Sequence, residues 1–146
     1  MNRDSDDQTM KMLLEQATSI AVVGIKSGAD DDAFRVPAYL KAKGYRIIPV
    51  NPKLSRVLNL ASHAGLEQIP RALFPIDIVN LFRATEHLPA HVDEILSLSP
   101  LPRAVWTQLG IYDGPSAQRL REAGIEVIQD RCIMVDHRRL IANEAP

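Results

Sequence analysis

Five short apolar runs punctuate the chain: Ser19 to Gly24, Arg46 to Pro52, Ile76 to Ala84, Arg103 to Gly110 and Glu126 to Ile133. Their apolar residues are mostly consecutive rather than alternating, the pattern of strands covered on both faces. Between the runs, apolar residues return at helical spacing. Met10, Leu13, Leu14 and Ala17 predict a leading helix, and Phe34, Pro37, Ala38, Leu40 and Ala42 predict a second, closed by Gly44. Thr85 is placed to cap a third that reaches about Leu98 with Leu88, Val92, Ile95 and Leu96 inward, and "GPSAQRLREAG" carries a fourth, ended by Gly124. The tail after Ile133 has room for one helical turn. Strands alternating with helices predict an α/β, doubly wound fold: about five parallel strands with helices on both faces. Such sheets bind ligands beyond the carboxyl ends of their strands, near the point where strand order reverses.

Two prolines test this outline. A proline is tolerated in the first turn of a helix, so Pro37 predicts a helix that starts near Phe34 or bends there. Pro49 would cost a central strand one ladder bond, which predicts a bulge or local break in the second strand. From Lys53 to Pro70 the periodicity weakens, and a loop with short strand and one turn near Leu66 to Ile69 is expected.

The 146 residues are expected to form a single domain spanning residues 1–146, with 1–8 and 141–146 frayed. A net charge of -1 from 17 basic and 18 acidic side chains gives no overall attraction to nucleic acid or anionic membrane, so any anion must be held locally. The opening "MNRDSDDQT" does not read as a signal peptide, and the protein is expected to be cytoplasmic. A lone Cys132 reads as a small core residue. His87 and His91 stand four apart with Pro89 between them and no carboxylate or cysteine at zinc-site spacing; they read as a solvated face, and no metal site is assigned. Asp130, Arg131 and His137 read as a structural network at the end of the fifth strand.

The stretch "IAVVGIKSG" places Gly24 at a strand end with Ser27 and Gly28 leading into a helix, where free N–H groups and the helix dipole favour an anion. The glycine spacing matches neither the dinucleotide fingerprint nor the P-loop. At the end of the second strand, where NAD proteins place an acidic residue for the ribose, stand Asn51, Pro52 and Lys53. A lysine there suits a phosphorylated ribose, which leaves NADP, with its 2′-phosphate, and coenzyme A, with its 3′-phosphate.

Taken in order, "IAVVGIKSG", "FRVPAYLKAKGYRIIPVNP", "DIVNLFR", "VWTQLG" and "DRCIMVDH" resemble the small stand-alone CoA-binding proteins related to the CoA-binding domain of succinyl-CoA synthetase, over roughly Ile20 to Arg139. The resemblance implies a Rossmann-like domain with the CoA diphosphate at the first loop and the adenosine end near the loops after strands two and three. Gly24, Ile25, Lys26 and Ser27 would face the phosphates, with Arg35 adding charge. Asn51, Pro52 and Lys53 would frame the nucleotide, Phe82 and Arg83 would lie nearby, and Trp106, Gln108 and Gly110 would line the fourth loop. The chain departs from the family pattern in carrying Asp30, Asp31 and Asp32 where members have a basic residue and a proline, and Asn59 where they have glycine. Aspartates there can cap a helix, and they would repel a pyrophosphate at the same helix end.

No nucleophile and base fall together at a strand-end loop, and no second domain is readable to present a substrate. The expectation is a module that binds CoA or an acyl-CoA without catalysis, in sensing, carriage or regulation, its protein partner undefined. The alternative is a small NADP-dependent or other nucleotide-using enzyme.

Overall fold

The structure, a computed structural model, describes residues 6–143. Helix α1 (Asp7–Gln16) is capped by Asp6, whose carboxylate accepts from the Thr9 amide at 2.8 Å. Residues 6 to 8, expected in a frayed end, therefore begin a helix, and at the other end the Ile141 and Ala142 amides donate to the His137 carbonyl; residues 1–5 and 144–146 lie outside the described residues. Strand β1 (Ser19–Val23) follows, then α2 (Asp32–Ala42) and β2 (Arg46–Val50). A small hairpin of β3 (Arg56–Val57) and β4 (Leu60–Ala61) occupies the weakly periodic region, before one-turn 3-10 helices at Leu66–Gln68 and Arg71–Leu73. The remaining units are β5 (Ile78–Leu81), α3 (Leu88–Leu96), β6 (Ala104–Thr107), α4 (Gly114–Glu122), β7 (Glu126–Ile128) and α5 (Ile133–Leu140).

The main sheet is parallel throughout, in the order β2-β1-β5-β6-β7. Its faces are covered by two apolar layers. Met10, Leu13 and Leu14 of α1, Val36 and Leu40 of α2 and Ile133 of α5 pack on Ile20, Val22, Ile78 and Trp106. Leu88, Val92 and Ile95 of α3 and Ala117 and Leu120 of α4 pack on Ala21, Val23, Val79 and Val105. This is the doubly wound, Rossmann-like fold. The chain steps outward from β1 to β2 and returns to the other side of β1 for β5, so strand order reverses between β1 and β5.

Several local expectations are revised. Pro49 leaves β2 unbroken because β2 has one neighbour in the sheet: the register runs Val22 to Pro49 against β1, and the outer side carries the His63 amide, donating to the Pro49 carbonyl at 3.0 Å. Helix α2 starts at Asp32, capped by Asp31, and runs through Pro37. The Ala33 carbonyl that Pro37 cannot serve accepts instead from the Lys26 amide at 3.2 Å. Thr85 opens a 3-10 turn (Thr85–His87) rather than capping a helix, and Pro89 sits at the start of α3. The last strand is shorter than the apolar run suggests: Asp130, at φ 57°, turns the chain, and Ile133 begins α5, two turns where one was expected.

Candidate functional site

Gly24 ends β1 with φ +87°, and a Cβ there would overlap the Phe82 carbonyl oxygen and press on Arg83 Cδ at 3.1 Å. The close approach that this glycine permits is therefore to the chain itself. The Gly24 amide donates to the Val50 carbonyl at 2.9 Å and the Phe82 amide to the Val23 carbonyl at 2.8 Å, so three strand ends are laced together at the reversal point.

Asn51 ties two of the loops that leave this junction. Its Nδ2 donates to the Ile25 carbonyl at 2.7 Å, and its Oδ1 accepts from the Lys53 amide at 2.8 Å, curling Pro52 and Lys53 over the strand ends. The segment around His63 and Ala64 closes the outer side, with the Asn51 amide donating to the His63 carbonyl at 2.9 Å. An open cleft of about 560 Å³ results, of a size usual for a small-molecule site.

Of the expected residues, Gly24, Lys26, Asn51, Pro52, Lys53, Phe82 and Arg83 line this cleft. Lys26, Lys53 and Arg83 bring three cations from three different loops. Ile25 and Trp106 are fully buried in the core, so neither presents surface to a ligand. Ser27 and Arg35 are exposed outside the cleft walls, and Arg35 forms an exposed ion pair with Asp32, whose hydrogen bond raises the guanidinium pKa. Gln108 lies past the end of β6, only 7% exposed, with Oε1 unpartnered; Asn80 Oδ1 and Nδ2 and Trp106 Nε1 are also buried without partners. The Gly110 amide is engaged by Asp130 Oδ1 at 2.6 Å.

The aspartate run stays out of the opening. Asp31 Oδ1 accepts from the Ala33 amide at 2.9 Å, Asp32 pairs with Arg35, and Asp30 is exposed; none lines the cleft. Of Asp130, Arg131 and His137, expected as one network after the fifth strand, Arg131 bonds buried Asp136 through Nε and Nη2 at 3.0 and 2.7 Å, Asp136 also accepts from Arg139 Nη2 at 3.1 Å, and Asp130 engages the Gly110 amide instead. Arg139 also bonds Asp7, joining α5 to α1. His137 Nδ1 lies 2.8 Å from the Tyr39 hydroxyl.

The lining residues that the sequence did not assign are Val23, Val50, Ala64, Gly65, Ala84, His87, His91 and Glu94. Arg83 Nε lies 3.3 Å from His91 Nε2, and His91 Nδ1 lies 2.8 Å from Glu94 Oε1. Arg83, expected near the nucleotide, donates to a histidine that the sequence placed on a solvated face. The one available signal was spacing, since His87, His91 and Glu94 fall three and four apart on one helix side.

Comparison with known proteins gives the family and the same fold. The CoA binding domain family matches residues 18–138. The chain is 37% identical over 128 residues to the uncharacterized protein YneT of Bacillus subtilis, covering 88% of this chain and 91% of that one. Among solved structures, cell-free ID.343 from Thermus thermophilus superposes with a TM-score of 0.87 at 38% identity, covering 94% of this chain and all (100%) of the other. A hypothetical protein from Pyrococcus horikoshii OT3 gives a TM-score of 0.87 at 28% identity, with 97% and 98% covered. With the family's match running from just before β1 into α5, across every strand that builds the cleft, the chain belongs to the CoA binding domain family.

Proposed function

We propose that the cleft binds coenzyme A or an acyl-CoA, and that the protein acts as a binding module in sensing, carriage or regulation. The observation that carries this reading is the convergence of Lys26, Lys53 and Arg83 at the strand-order reversal, in a chain with almost no net charge. Three cations from three loops match a ligand with a diphosphate and a ribose phosphate better than a neutral or singly charged metabolite.

Lys26 and Arg83 flank the junction at Gly24 and would take the diphosphate; Lys53, on the turn that Asn51 holds, would take the 3′-phosphate. Asn51 acts by positioning, since its side-chain amide is spent on Ile25 and Lys53. A free thiol or thioester is the chemistry that bound CoA would supply.

Thermal-shift titration with CoA, dephospho-CoA and NADPH tests the proposal. CoA is expected to raise the melting temperature at submillimolar concentration and NADPH to leave it near the unliganded value. A rise with NADPH and none with CoA would favour the reading as an NADP-dependent enzyme.

A further inference from the structure

We propose that His91 is a ligand contact that holds a phosphate of CoA as an imidazolium, so that binding takes up a proton. The proposal rests on the reading of the cleft as a CoA site. It begins from a deduction about protons. A guanidinium can only donate, so His91 Nε2, 3.3 Å from Arg83 Nε, must be the acceptor nitrogen. Nδ1 then carries the hydrogen and donates to Glu94 Oε1 at 2.8 Å. His91 is thus a neutral ring, oriented by a carboxylate behind it, with its lone pair on the cleft side beside a cation.

A phosphate entering between Lys26, Lys53 and Arg83 changes that balance. Its oxygens accept from Arg83, removing the donor that Nε2 had, and they repel a bare nitrogen lone pair. A proton taken from solvent onto Nε2 converts repulsion into a second charge-assisted bond, while Glu94 balances the new positive charge. Room for that carboxylate is built in. A side chain at Gly65 would come within 3.2 Å of Glu94 Oε2 and 2.7 Å of Gln68 Oε1.

The other charged groups near His91 set the sign without supplying another device. On its own helix side are His87 and Glu94; the strand-end loops bring Lys26, Lys53 and Arg83. Of the elements packed on α3, the turn before it adds exposed Glu86, the 3-10 turn at Leu66–Gln68 adds exposed Glu67, and α4 adds Arg119, which pairs with Asp93 at 2.6 Å. Among the described residues, Glu94 and Arg83 are the ones that bond the ring. Because the bound state holds the extra proton, affinity for CoA rises as pH falls.

Isothermal titration calorimetry of the full chain with CoA, from pH 6 to 8 and in two buffers of different ionisation enthalpy, reads both affinity and proton uptake. The 3′-phosphate of CoA itself titrates near pH 6, so the comparison is with His91→Gln, and dephospho-CoA serves as a ligand without that group. Wild type is expected to gain about tenfold in affinity from pH 8 to 6 beyond any gain shown by His91→Gln, and to take up a larger fraction of a proton per ligand. Glu94→Gln is expected to fall between the two, and thermal melting establishes that each variant is folded. Equal slopes and equal proton uptake in wild type and both variants would overturn the role of His91 and leave CoA binding standing. Failure of wild type to bind CoA at any pH would overturn both.

Discussion

Gly24 and Lys53 show how differently single residues act at one cleft. Gly24 is needed by the backbone: its positive φ and the Phe82 carbonyl against it leave no place for a methyl group. Gly24→Ala should cost roughly 1–3 kcal/mol of stability from the backbone conformation alone, and more from the overlap, read as a lowered urea midpoint at unaltered slope. Lys53 is needed for its charge. It is exposed, so Lys53→Glu should leave the melting temperature almost unmoved while weakening CoA more than dephospho-CoA. Equal losses for the two ligands would place the ribose phosphate elsewhere.

Helix α2 and the first loop form one mechanical unit through a defect. Pro37 leaves the Ala33 carbonyl without its helical donor, and the Lys26 amide fills the gap at 3.2 Å, anchoring the loop whose side chain reaches the cleft. Pro37→Ala gives Ala33 an intrahelical donor again. Hydrogen exchange at the Lys26 amide should then quicken severalfold and CoA affinity fall, with the helix itself no less stable. An unaltered exchange rate would mean that the loop is held by other bonds. The N-terminus of α2 depends on Asp31, whose bond to the Ala33 amide satisfies one orphan donor. Asp31→Ala should cost about 0.5–2 kcal/mol. The acidic run thereby serves the helix rather than the opening.

For the molecule as a whole, packing of α1 and α2 on the sheet depends on Tyr45, buried at the entry to β2, whose hydroxyl donates to the Leu14 carbonyl. Burial is the main cause that pushes its pKa from 10.0 to about 12, with Tyr39 and Glu15 adding to the shift. A phenol whose folded pKa is raised supports the fold fully below its unfolded value and loses that support as pH climbs through the folded one. Stability should therefore decline between about pH 10 and 12, and Tyr45→Phe should flatten the decline in that window while lowering stability at neutral pH through the lost hydrogen bond. The sequence by itself determined the alternation of buried strands and amphipathic helices, because burial on two faces or one writes a period into the apolar residues. It also marked the loops after β1, β2 and β5, since glycine, asparagine and lysine at strand ends have local reasons to be there. Only the tertiary structure decided that β1 lies between β2 and β5, that Trp106 turns inward, and that His91 and Glu94 close the far wall of the cleft. Local periodicity is blind to which strands become neighbours. That choice joins the loops after β1, β2 and β5 in one cleft, where Arg83 meets His91 at 3.3 Å.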